Sequence, residues 1–286
     1  MQTTMSYNET VDFFCAVGTE VTPIVEGHIG SGKSSLIHAI GKRFPNHRKV
    51  YMDMTVMHEG DFRVPAVNHE SKTTEFYYNE SFGLGDDVPV ILMLDEFGKG
   101  SRSAQDAALP LPVERRQGHR YLHKESFVFM TTNLGGEGVG DMLKPHHRNR
   151  LTSVRMAKQT GDEWVENYAK ANGIAPEVIM WVGERPDALH SYEMYDNPDD
   201  NPLIYHPKAQ RSAFVTHRSL EQASKIINKR HLFTPNALET ALIGTIGALL
   251  PLIFSRGLQW VTHYPSVLRS SVTPTPPVCL TKYQAD

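Results

Sequence analysis

Two short runs hold the residues best suited to chemistry. The first is Gly27, His28, Ile29, Gly30, Ser31, Gly32, Lys33, Ser34 and Ser35, which fits the spacing G-x-x-x-x-G-K-S. Glycines so placed let the backbone turn tightly, and successive N–H groups then point inward at an anion. Lys33 is suited to reach the β- and γ-phosphates of a nucleotide, and the Ser34 hydroxyl to ligate Mg²⁺. The second run, "VPVILMLDEFG", ends in two acids. Asp95 is suited to hold Mg²⁺ through its water shell, and Glu96 to polarise an attacking water as general base. Further on, "SFVFMTTN" closes on Asn133, whose amide can orient that water without competing for its proton. Alone, the two acids could end a strand in a solvated turn, and Asn133 could be a turn former. With the glycine loop upstream, the three fit a site for ATP and Mg²⁺.

These residues need a scaffold. "EVTPIV" ahead of the loop supplies a short β-branched strand, and Leu36, Ile37 and Ile40 behind it recur at helical spacing. Val88 to Leu94 is a near-continuous apolar run, as a parallel strand covered on both faces requires. "VYMDMTV" at 50–56 reads as a strand nearer the sheet edge. Parallel strands present their carboxyl ends together, which would bring Asn133 to Glu96. The fold class is α/β.

The same motifs resemble the AAA+ ATPases, and within them the MoxR-type branch, compact forms of which occur in bacteriophages. The resemblance spans about residues 15 to 250 and adds "KPHHRNRL" and "THRSLEQASKII" to the elements above. It implies a P-loop core of three layers around a parallel five-stranded sheet over 1–157. A small helical lid over 158–262 follows, with a long loop at 185–213, and 263–286 is a proline-rich tail. It further implies that an arginine ahead of an apolar residue enters the neighbouring subunit's site. Arg150, before Leu151, matches that position, with Arg148 as rival. Arg218 matches the arginine that senses the γ-phosphate from the lid. The branch also carries an insert within its second helix, which falls on 57–85, and a hairpin before the Asn133 strand, which falls on 116–126. Phe62, Tyr77, His119 and Tyr121 are the contact candidates there, with core packing the plain alternative for the aromatics.

Other signals bound the chain. Hydrophobic residues make up 40% and charged residues 21%, the balance of a globular protein, and the net charge of −3 gives no global pull toward nucleic acid or anionic lipid. Only Cys15 and Cys279 are present, which argues against a disulfide framework and fits a reducing cytoplasm. The N-terminus lacks the pattern of a secretion signal, and the greasy run 241–254 is too short to span a membrane. Adjacent His146 and His147 have no further ligand at metal-binding spacing. Pro110 and Pro112 are expected to break the helix that relatives continue there. Thr160 with Glu163, and Thr234 with Pro235, are helix starts.

The resemblance implies a ring-forming ATPase, expected as a hexamer, that remodels or helps assemble a client protein and works with a von Willebrand factor A-type partner, an assignment by analogy. Two alternatives stay open at this level. A motor or helicase loader would act on nucleic acid through the basic hairpin "RRQGHRYLHK". A nucleotide-gated structural ring would bind ATP and hardly hydrolyse it.

Overall fold

The computed structural model describes residues 3–134 and 149–247. Arg148, His146, His147 and everything from 248 onward lie outside them. The central sheet is made by β1 (Pro23–Gly27), β2 (Arg48–Asp53), β5 (Val90–Asp95), β8 (Phe127–Asn133) and β9 (Thr152–Arg155), in the spatial order β2-β5-β8-β1-β9. Each neighbouring pair is parallel. This is the five-stranded parallel sheet that the resemblance implies.

Period-two alternation divides the strands' side chains between two cores. Ile24, Leu92, Leu94, Val128 and Met130 pack with Ala104, Ala108 and Leu111 of α3 (Arg102–Ala108) and α4 (Pro110–Glu114). Val25, Ile91, Met93, Phe127 and Phe129 pack with Phe14, Leu36 and Ile40 of α1 (Tyr7–Val17) and α2 (Leu36–Arg43). Helices thus cover both faces, giving three layers. With β5 buried along its whole length, each of its large side chains contributes about 1.5–3 kcal/mol of burial.

Three local expectations are corrected or filled in. Residues 110–114 are helical despite both prolines. Pro110 sits at the first helical position and Pro112 within the first turn, where backbone N–H groups have no intrahelical acceptor to lose. Segment 57–85 carries no α-helix. It is an antiparallel hairpin, β3 (Arg63–Asn68) with β4 (Thr73–Tyr78), flanked by the single 3-10 turns Glu59–Asp61 and Glu80–Phe82. The expected second hairpin is present as β6 (Arg116–Gln117) and β7 (Arg120–Tyr121).

The C-terminal part of the described chain is helical. Thr160 and Glu163 close a capping box on α5 (Gly161–Trp164), which runs on through a π turn at Val165–Ala169 and stops at Gly173, φ 65°. Then come α6 (Pro176–Glu184), a long connection of isolated 3-10 turns, α7 (His217–Asn228) and α8 (Pro235–Ile246). Thr234 caps α8, whose Leu238, Leu242 and Ile246 are buried at helical spacing. No helix of the described residues is long and apolar enough to cross a membrane.

Candidate functional site

Strand register assembles the site. Gly27 lies opposite Asn133 and Asp53 opposite Asp95, so the glycine loop, the acids and the amide leave the sheet at one edge. Gly30 and Gly32 have φ of 70° and 90°, a region that side chains with a Cβ avoid, and the loop passes through it twice to curl back toward α2. A Cβ on Gly30 would lie 2.6 Å from Cβ of Thr216, the residue that caps α7. The loop and the helix carrying Arg218 are therefore in direct contact.

Lys33 is buried, and its Nζ donates to the carbonyl oxygens of Gly27 (2.7 Å) and His28 (2.9 Å) and to Asn133 Oδ1 (2.8 Å). Asn133 passes the link on, its Nδ2 donating to Glu96 Oε1 at 3.2 Å. Glu96 Oε2 is ion-paired with Lys99 at 3.0 Å. Glu96 itself takes the left-handed conformation, φ 53°, rare for a residue with a side chain, and its N–H donates to Thr131 Oγ1. That backbone turn swings the carboxylate off the strand axis toward the loop.

Asp95 is 5% exposed and is held by hydroxyls. Thr131 donates to Oδ1, while Ser34 (3.0 Å) and Tyr51 (2.8 Å) both donate to Oδ2. A hydroxyl and a carboxylate at hydrogen-bond distance, both at a phosphate-sized loop, are hard oxygen donors that suit Mg²⁺, which keeps most of its water and takes few protein ligands. Ser34 and Asp95 would hold such an ion. Desolvation, followed by the bond to Asp95, pushes the Tyr51 phenol up, so it stays a donor.

A cavity of about 720 Å³ opens over these groups. Ile29 to Ser35, Glu96, Asn133 and Arg218 line it, whereas Gly27, His28 and Asp95 do not and are joined to it by their bonds to Lys33 and Ser34. Arg150 is exposed in the turn before β9 and does not line the cavity. Phe62, offered as a contact candidate, is instead fully buried and stacked on Phe82 at 5.5 Å. Tyr77, His119 and Tyr121 are exposed on the two hairpins.

Several wall residues carried no signal of their own. Trp164 is buried between Tyr168 and His217, its ring nearly parallel to both. The His217 nitrogens approach the backbone of Gln159 and Gly30 without a well-aligned hydrogen bond, and burial, then Lys158, pushes this imidazole down to about 3. It is therefore neutral at neutral pH. On the far side of the loop, His28 Nε2 meets Ser191 Oγ at 3.0 Å and Glu193 at 3.5 Å, and Glu193 is clamped by Arg155 at 2.6 and 2.8 Å. The connection at 185–213 thus reaches back to the glycine loop. The capping pattern around Thr160 hints at the Trp164 helix, but contacts between His28 and residue 191 leave no local trace.

No family model matches the chain, and no characterised protein matches it significantly. Among solved structures, the chain is similar to a proposed ATPase from Cytophaga hutchinsonii, at 14% identity and a TM-score of 0.40. That match covers 77% of this chain and 57% of the other.

Proposed function

We propose that this chain is a Mg²⁺-dependent ATPase of the MoxR-type AAA+ class that acts as a ring, expected as a hexamer, in the cytoplasm. The observation that carries the reading is convergence. Lys33 and Ser34, Glu96, Asn133 and Arg218 come from separate segments and line one cavity of about 720 Å³, and Asp95 joins them through the bond it accepts from Ser34. In this reading the triphosphate draws Lys33 away from the carbonyls of Gly27 and His28, the glycine loop N–H groups take up negative charge, and Glu96 takes a proton from the attacking water. Asn133, bonded to both Lys33 and Glu96, couples phosphate binding to the position of the base.

Arg150 lies outside its own chain's cavity, which supports a role in the neighbour's site, where a guanidinium would offset charge developing on the γ-phosphoryl group. Contact between Gly30 and the α7 cap supports a lid, residues 158–262, that moves with nucleotide state against a core of 1–157. The exposed hairpins would then carry that motion to a client, and a von Willebrand factor A-type partner is part of the same analogy. The test is the ATP hydrolysis rate per subunit over a wide range of protein concentration, with mass measured in parallel. A rate that climbs and then levels off as rings form supports a site completed between subunits. Full-rate turnover by verified monomers refutes it.

A further inference from the structure

Asp95 Oδ2 accepts from two hydroxyls at once, and only one of them belongs to the glycine loop. The other comes from Tyr51, on the edge strand β2, two positions before its end. β2 pairs with β5 in a register that sets Tyr51 opposite Met93 and Asp53 opposite Asp95, so the phenol leans along the strand to reach the carboxylate. Its ring is half exposed, which marks it as something other than core.

The two donors to Oδ2 differ in what a bound cation would ask of them. A Ser34 oxygen that ligates Mg²⁺ changes its geometry toward Asp95, whereas Tyr51 has no such second duty. Tyr51 and Thr131 are then the fixed supports, one on each oxygen, that keep the carboxylate aimed at the ion's water shell.

Resting on the nucleotide-site reading above, we propose that Tyr51 is a positioning residue for the divalent cation, holding the Asp95 carboxylate through its Oδ2 while Ser34 turns to the metal. Tyr51→Phe keeps the ring and removes only the donor. The experiment is a titration of Mg²⁺ into full-length protein with mant-ADP, read by fluorescence, for the wild type and the variant, together with mant-ADP affinity in EDTA.

The expected result is an unchanged metal-free affinity and a half-saturating Mg²⁺ concentration raised about three- to tenfold, the range of one hydrogen bond to a charged group in a half-exposed setting. Midpoints within twofold of each other would overturn the proposal. So would a loss of metal-free affinity in the variant, which would mark Tyr51 as a support of the nucleotide pocket and not of the metal. Failure of wild-type protein to bind mant-ADP would instead overturn the nucleotide-site reading, and this proposal with it.

Discussion

The carboxyl edge of the central sheet and the β3–β4 hairpin stand at opposite extremes of support. At the sheet edge Lys33 has three oxygen partners, Asp95 three hydroxyl donors, and Glu96 an amide and an ammonium. On the hairpin Val64, Val67, Phe76 and Tyr77 are all substantially exposed, on both faces of a two-stranded ribbon. Its side chains are tied by cross-strand neighbours, by Arg63 over the Phe76 ring at 5.2 Å and, at the end of β4, by Tyr78 packed against the core. Such a ribbon is marginal alone in water, and its apolar surface gains nothing until something covers it. Charge placement demands fixed partners, whereas the exposed apolar residues of the ribbon have few within the described residues.

If the sheet edge owes its dense internal bonding to phosphate and metal binding, Lys33→Ala should have the largest effect. It removes two or more charge-assisted bonds to phosphate, and ATP affinity by calorimetry should fall about 100-fold or more. Less than a fivefold loss would break the contrast.

The pH response sharpens it next. His217 is neutral in the fold, held near 3, against 6.5 when unfolded. Its folded value is depressed, so the unfolded state binds the extra proton as pH falls from 6.5 toward 3. Stability should then drop by up to about 1.4 kcal/mol per pH unit from this group, with no contribution above 6.5. Thermal melts at pH 7, 6 and 5 should show a slope that His217→Phe reduces. An unchanged slope would remove His217 as its source.

The smallest effect belongs to the hairpin. Tyr77→Ser and Val67→Thr should alter stability by no more than about 0.5 kcal/mol in denaturant melts and leave basal turnover intact. A destabilisation near 2 kcal/mol would show the ribbon to be a structural prop, and the two regions would no longer differ in kind.

What could be read in advance follows the range of each interaction. Strand and helix periods are local, so β5, β8, α2, the Thr160 box and the Thr234 cap were legible, as were the glycine loop, Asp95, Glu96 and Asn133. The helix through Pro110 and Pro112 was hidden because proline's penalty depends on position within the helix, and both fall in the first turn. The hairpin was hidden by an expected helix around it, though Thr73 to Tyr78 is rich in strand-forming residues. The left-handed turn at Glu96, the bond from Tyr51 to Asp95 and the clasp of His28 by Ser191 and Glu193 depend on tertiary placement, which no local pattern encodes.

If this edge hydrolyses ATP with Glu96 as base, phosphate release by wild type and Glu96→Gln, with mant-ATP binding measured on both, will separate chemistry from binding. Turnover in the wild type, a fall of about 100-fold or more in the variant and unchanged binding are the expected results. Equal turnover in the two proteins, or wild-type protein that binds ATP and releases no phosphate at any concentration, would rule out Glu96 as the base of an ATPase.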